Sequence, residues 1–120
     1  MILADLVNWV LNHPSRAKFA DWSADDFANV LLQAHCRNQL WYCTDTNGNN
    51  GAIKGVASFS LDETSHKMFV DLVMCDPGYL RVFRDAARKL YPDWQVTAYR
   101  YDKGGKYTTY NTLKTTKYGK

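Results

Sequence analysis

The sequence predicts an α/β (α+β) protein, a mixed and mostly antiparallel sheet of about five strands packed with three helices. Three observations carry that reading. Apolar side chains recur at helical spacing over residues 1–37; the chain then turns aromatic and strand-like between polar turns; and one more helical segment separates the third strand from the fourth. A helix linking two strands of one sheet is a crossover, and it lays those strands side by side in parallel. A split between parallel neighbours is a usual place for a ligand cleft.

Each element follows from its own residues. Leu3, Leu6, Val7 and Val10 stand at i, i+3, i+4 and i+7, one face of an amphipathic helix that Pro14 ends. Ser23 caps a second helix, with Asp26 completing a variant capping box and Phe27, Val30, Leu31 and Ala34 facing inward; it stops near Arg37 and Asn38. Residues 39–44 form a strand, 45–51 a polar turn, and 52–60 the second arm of a hairpin. A second turn, 62–66, leads into the apolar strand 68–74 and completes a meander. Asp76 and Pro77 read as N-cap and first position of the third helix, with Tyr79, Phe83, Ala86, Ala87 and Leu90 inside and Arg81, Arg84, Asp85, Arg88 and Lys89 outside. Residues 94–101 and 106–112 make a final hairpin around the turn 102–105. One domain over residues 1–112 with a basic tail over 113–120 is the expected organisation, without repeats or linkers.

Composition narrows the class. At 120 residues, with 46% hydrophobic and 22% charged side chains and only 7 Gly and 3 Pro, the chain has the makeup of one globular core, not of a disordered or collagen-like segment. The best apolar stretch, Ile2 to Leu11, is interrupted by Asp5 and Asn8 and falls short of the roughly 20 residues of a membrane helix. It also lacks the basic start and cleavage site of a signal peptide, so a cytoplasmic location is expected. Cys36, Cys43 and Cys75 cannot all pair and show no zinc-knuckle spacing; reduced, mostly buried thiols are expected. Residues 97–120 carry six basic side chains against Asp102 alone, a net +5, while the first 96 residues sum to −2. Such a basic end favours an acidic partner: nucleic acid, a membrane surface or an acidic protein.

Several residues stand out chemically. Asp71 interrupts an apolar strand, where an unpartnered buried carboxylate costs several kcal/mol. With strict alternation it shares a face with Phe69 and Val73 and points into a cleft as a general base or its orienter; the alternatives are a solvated face or a pair with a nearby Arg. His13, just before Pro14, is the best placed of the three histidines for proton transfer, against the plainer reading of a polar surface residue; His35 suits the helix dipole and His66 lies in a turn. The junction from Cys75 to Gly78 offers free N–H groups for an anion, yet it has no glycine-rich phosphate pattern and Asp76 puts negative charge there. Cys75 has no visible activator as a nucleophile. Lys and Arg interleaved with Tyr99, Tyr101, Tyr107, Tyr110 and Tyr118 are ingredients for tracking nucleic acid, and alternating Tyr equally suits a plain strand.

In order along the chain, Val7-Asn-Trp-Val-Leu-Asn-His-Pro14, Val56-Ala-Ser-Phe-Ser-Leu61, Met68-Phe-Val-Asp-Leu-Val73, Arg88-Lys-Leu-Tyr-Pro-Asp93, Ala98-Tyr-Arg100 and Gly105-Lys106 resemble segments of the toxin-activating lysine acyltransferases, which mature RTX pore-forming toxins. The resemblance implies a GNAT-like acyltransferase fold and transfer of a fatty acyl group from acyl carrier protein to a lysine through a His and an Asp. Asp71 stands at the matching Asp position. At the matching His position stands Arg16, with His13 just before the proline, and an Arg does not take a proton near neutral pH. A carrier-protein donor agrees with the missing phosphate loop, and the chain lacks the family's additional C-terminal helix, like a pared-down bacterial or phage accessory protein.

These readings give two expectations. In the first, the chain is an acyltransferase that moves an acyl group from acyl carrier protein or acyl coenzyme A to a protein amine, with His13 as base, Asp71 as its orienter, the backbone from Val73 through Met74 and Cys75 to Asp76 seating the thioester, and no tightly bound cofactor or metal. In the second, it is an inactive GNAT-like module that docks a protein or nucleic acid through Arg100, Lys103, Lys106, Lys114 and Lys117, with salt-sensitive affinity. An open edge strand would permit a homodimer.

Overall fold

A computed structural model describes residues 2–19, 21–45, 51–101 and 107–114. In chain order they form α1 (Ile2–Asn12), a 3-10 turn (Pro14–Lys18), α2 (Ala24–Cys36), β1 (Leu40–Thr44), β2 (Ile53–Asp62), β3 (Lys67–Cys75), α3 (Leu80–Leu90), β4 (Gln95–Tyr101) and β5 (Tyr107–Lys114). The sheet order is β1-β2-β3-β4-β5, antiparallel except where α3 crosses over and leaves β3 and β4 parallel. The mixed α+β class with three α-helices agrees with the sequence reading. No described helix is long and apolar enough to cross a membrane.

Local chemistry sets the helix ends. Ser23 Oγ accepts the Asp26 N–H at 3.1 Å and Asp26 Oδ2 accepts the Ser23 N–H at 2.8 Å, the reciprocal capping box that starts α2. Asn38, in the left-handed region at φ +59°, ends it. The expected start of α3 is corrected: Gly78 at φ +90° breaks the helical run, Asp76 to Tyr79 form a turn, and α3 begins at Leu80 without a side-chain cap. Its inner face is narrower than expected, with Phe83 and Ala87 buried and Leu90 60% exposed. The Phe83 ring lies over Gly55 of β2 so closely that a Cβ there would come within 2.9 Å of it, which is why that strand position is a glycine.

Two apolar clusters occupy the two faces of the sheet. On one, Leu6 and Val10 of α1 and Phe27 and Leu31 of α2 pack with Val56, Leu72 and Met74. On the other, Phe59, Met68 and Val96 pack with Trp41, Tyr91 and Trp94. β3 serves both because its register against β2 slips between the pairs Ser58–Leu72 and Phe59–Val70, leaving Asp71 as an extra residue, a β-bulge. Met68 and Val70 belong to the second cluster and Leu72 and Met74 to the first, although all four numbers are even. Without the bulge they would share one face.

The parallel ladder is short. It runs from Lys67–Gln95 to Val70–Ala98, while β3 continues to Cys75 on its β2 partner and β4 continues to Tyr101 on its β5 partner. The sheet therefore divides past Val70 and Ala98 between two strands that are each supported from the far side.

Candidate functional site

Asp71 is the first β3 residue past the end of the parallel ladder. The bulge turns it toward the α1–α2 side, where Ser60 Oγ donates to its Oδ2 at 3.0 Å and Arg37 Nη2 lies 3.8 Å from the same oxygen. Arg37, the C-cap of α2, is itself fixed: Nη2 donates to the Phe59 carbonyl at 3.1 Å and to Ser60 Oγ at 3.4 Å, and Nε donates to Gln39 Oε1 at 3.0 Å. Burial pushes the Asp71 carboxyl above its ordinary value, against the Ser60 hydrogen bond and the Arg37 charge, which pull it down. The result is a half-buried carboxylate held in one orientation at the point where two parallel strands separate.

His13 lies elsewhere. As N-cap of the 3-10 turn, its Nδ1 accepts the Ser15 N–H at 3.1 Å, so Nε2 carries the proton and donates to Asp76 Oδ1 at 2.8 Å. Lys54 Nζ sits 3.7 Å from the other Asp76 oxygen. The ring is held against Trp9, centroids 4.6 Å apart, and its side chain is 9% exposed. The expected His13–Asp71 pair is thus replaced by His13–Asp76, five residues and roughly 16 Å further along the β3 direction at about 3.3 Å per residue. Both imidazole nitrogens are engaged, which leaves His13 without a free lone pair.

The other expected positions fall as follows. Val73, Met74 and Cys75 form the β3 arm beyond the ladder, but Val73 pairs with Ala57 and faces the α3 side, opposite Asp71. Met74 is buried in the α1–α2 core, so only its backbone borders the division. Cys75 has its thiol pushed up to about 12 by burial and by neighbouring Cys43 and Asp76, which removes it as a nucleophile near neutral pH. The three cysteines are free; Cys36 is exposed and Cys43 and Cys75 are half-buried, where mostly buried thiols were expected. Arg16 packs its guanidinium 5.6 Å from the Phe27 ring centroid and donates to the Leu11 carbonyl at 3.3 Å, contacts that tie the 3-10 turn to α1 and α2. His35 is exposed, and His66 stacks on Trp94 with centroids 5.1 Å apart. Arg100 and Lys114 are strand positions of β4 and β5, whereas Lys103, Lys106 and Lys117 lie outside the described residues.

An open pocket of about 410 Å³ runs along α1 from Asp5 to His13, with Ile53 of β2 on its far wall. Among the described residues no cluster of His, Cys, Asp and Glu could hold a metal ion. The sequence offers an Arg partner for Asp71 without saying which, and Ser60 and the His13–Asp76 contact escape it, because each depends on a register slip or a turn that no local pattern announces. Compared with known proteins, the chain matches no family model and no curated protein.

Proposed function

We propose that this chain is a GNAT-like acyltransferase that moves an acyl group from a thioester donor, acyl carrier protein or acyl coenzyme A, to a protein amine. One observation carries the reading: the parallel β3–β4 ladder ends at Val70–Ala98 and the next residue is the oriented carboxylate of Asp71. A donor arm lying between the separated strands brings its carbonyl to that vertex, and the acceptor amine approaches from the α1–α2 side. The amine nitrogen attacks the thioester carbon and the C–N bond forms. Asp71 takes the proton released from nitrogen, the C–S bond breaks, and the proton passes to the leaving thiolate. A carboxyl raised by burial suits that task better than an ordinary one, because general-base efficiency improves as the pKa approaches the working pH. Ser60 and Arg37 hold its direction, and His13 acts as a structural post between the 3-10 turn and Asp76.

A second reading, the inactive binding module, is favoured by His13 having both nitrogens engaged, since no histidine base is then on offer. Intact-protein mass spectrometry after incubation with acyl-loaded carrier protein, or with acyl coenzyme A, and a lysine-bearing acceptor decides between them. Transfer that falls roughly 10²–10⁴-fold in Asp71→Asn supports the enzyme with Asp71 as base. Transfer that survives this substitution removes Asp71 from the chemistry, and none from either donor with the folded protein leaves the binding module.

A further inference from the structure

The two edges of the sheet differ in chemistry. β1 is one of them, paired with β2 alone. The Gln39 carbonyl just before it accepts the Phe59 N–H at 3.1 Å, and the Asp45 N–H just after it donates to the Ala52 carbonyl at 2.8 Å, so the odd-numbered peptide groups face β2. By antiparallel alternation the N–H and C=O groups of Leu40, Tyr42 and Thr44 face away from the sheet, and no described strand meets them. An edge of this kind is a template for another strand unless charge, proline or a covering segment blunts it. Leu40-Trp-Tyr-Cys-Thr44 carries no charge and no proline, its bulge lies at the far end between Cys43 and Thr44, and its central residue, Tyr42, is 44% exposed.

The charges at the ends of the strand select the occupant. Arg37 precedes β1, tied by its Nε to Gln39 Oε1 at 3.0 Å, and Asp45 follows it. A strand with a cation at one end and an anion at the other is complementary to itself when two copies run antiparallel, and sets like charges together when they run parallel. β5, the opposite edge, has lysines at both ends, Lys106 just before it and Lys114 as its last residue, so antiparallel self-pairing there sets cation against cation.

We propose that β1 is the contact surface for a second copy of this chain, paired antiparallel across a two-fold axis at Tyr42. Tyr42 stands opposite the second copy's Tyr42 as a hydrogen-bonded pair with Cα atoms about 5.5 Å apart. Leu40 then faces Thr44 of that copy, and Gln39, with Arg37 beside it, faces Asp45. The axis is perpendicular to the sheet, so the two sheets join into one and both α1–α2 layers stay on the same side. A five-residue strand is small beside the roughly 800 Å² per partner of a stable interface, so the dimer is a weak one in exchange with monomer.

Sedimentation equilibrium of the full chain over rising concentration should show monomer and dimer and no larger species. Over the same range amide hydrogen exchange should slow most at Leu40 and Tyr42, whose N–H groups face outward, and little at Trp41 and Cys43, which already bond to β2. Tyr42→Lys and Tyr42→Glu, each setting like charges opposite one another at the axis, should each weaken dimerisation roughly tenfold or more, and an equimolar mixture of the two should restore it. The position is exposed, which keeps both substitutions out of the core, and the exchange pattern of the unsubstituted protein tests the same edge without them. A chain monomeric throughout, a dimer whose Leu40 and Tyr42 amides exchange no slower than in the monomer, a dimer indifferent to both substitutions, or a mixture that associates no better than its components overturns the proposal. No acyl donor enters these measurements, so their outcome is independent of the transfer reaction.

Discussion

At Asp71 burial and partnership act in opposite directions, and burial prevails. A carboxyl whose folded value lies above its unfolded one binds protons more readily in the folded state, so its contribution to stability is complete below the ordinary value of 3.8 and is lost as the pH rises through the folded value. Asn has no such charge to bury. Melting temperatures measured from about pH 3 to pH 7 should therefore show the difference between Asp71→Asn and the wild type moving in the variant's favour as pH rises. A constant difference would mean that the Arg37 and Ser60 contacts cancel desolvation, and an opposite trend that they outweigh it. The same residue shows where the sequence was legible and where it was not. An acid in an apolar strand announces that something compensates it, and an Arg partner was among the alternatives, but neither Ser60 nor the direction of the side chain was visible, because both follow from a bulge. Strict alternation put Asp71 on the face of Val73, and the slipped register separates them.

Among the elements, those marked by strong local chemistry were readable and those set by tertiary contacts were not. The apolar spacing of α1 and the Ser23–Asp26 box of α2 stand where their residues place them, and the strands agree to within two residues at each end, with β2 running on to Asp62 and β5 to Lys114. α3 was misread at its start because Asp76 and Pro77 make a persuasive local signal. The carboxylate is instead drawn to His13 and Lys54, and Gly78 adopts a positive φ that defers the helix to Leu80. The capping box gives a direct test of the local term. Ser23→Ala should destabilise the fold by about 1 kcal/mol in chemical denaturation, with an unchanged denaturant slope. A loss near zero would show that α2 is held by Phe27 and Leu31 alone.

For the molecule as a whole, the layered class was legible from element order, since a helix between strands of one sheet forces a parallel neighbour. How far that parallel pairing extends was not, because four paired residues and nine look alike in a sequence. That extent is what gives the candidate site its vertex. The bulge has one more implication, concerning chain length instead of side-chain chemistry. It is a half-period phase shift inside β3: the strand keeps one alternation while it serves the α3-side cluster and the inverted alternation while it serves the α1–α2 side. Deleting Asp71 would restore a single phase, turning either Leu72 and Met74 or Met68 and Val70 away from their cores. The deletion should abolish cooperative melting, where Asp71→Asn leaves it intact. Substitutions at this position are negotiable; the count of residues between the two cores is not.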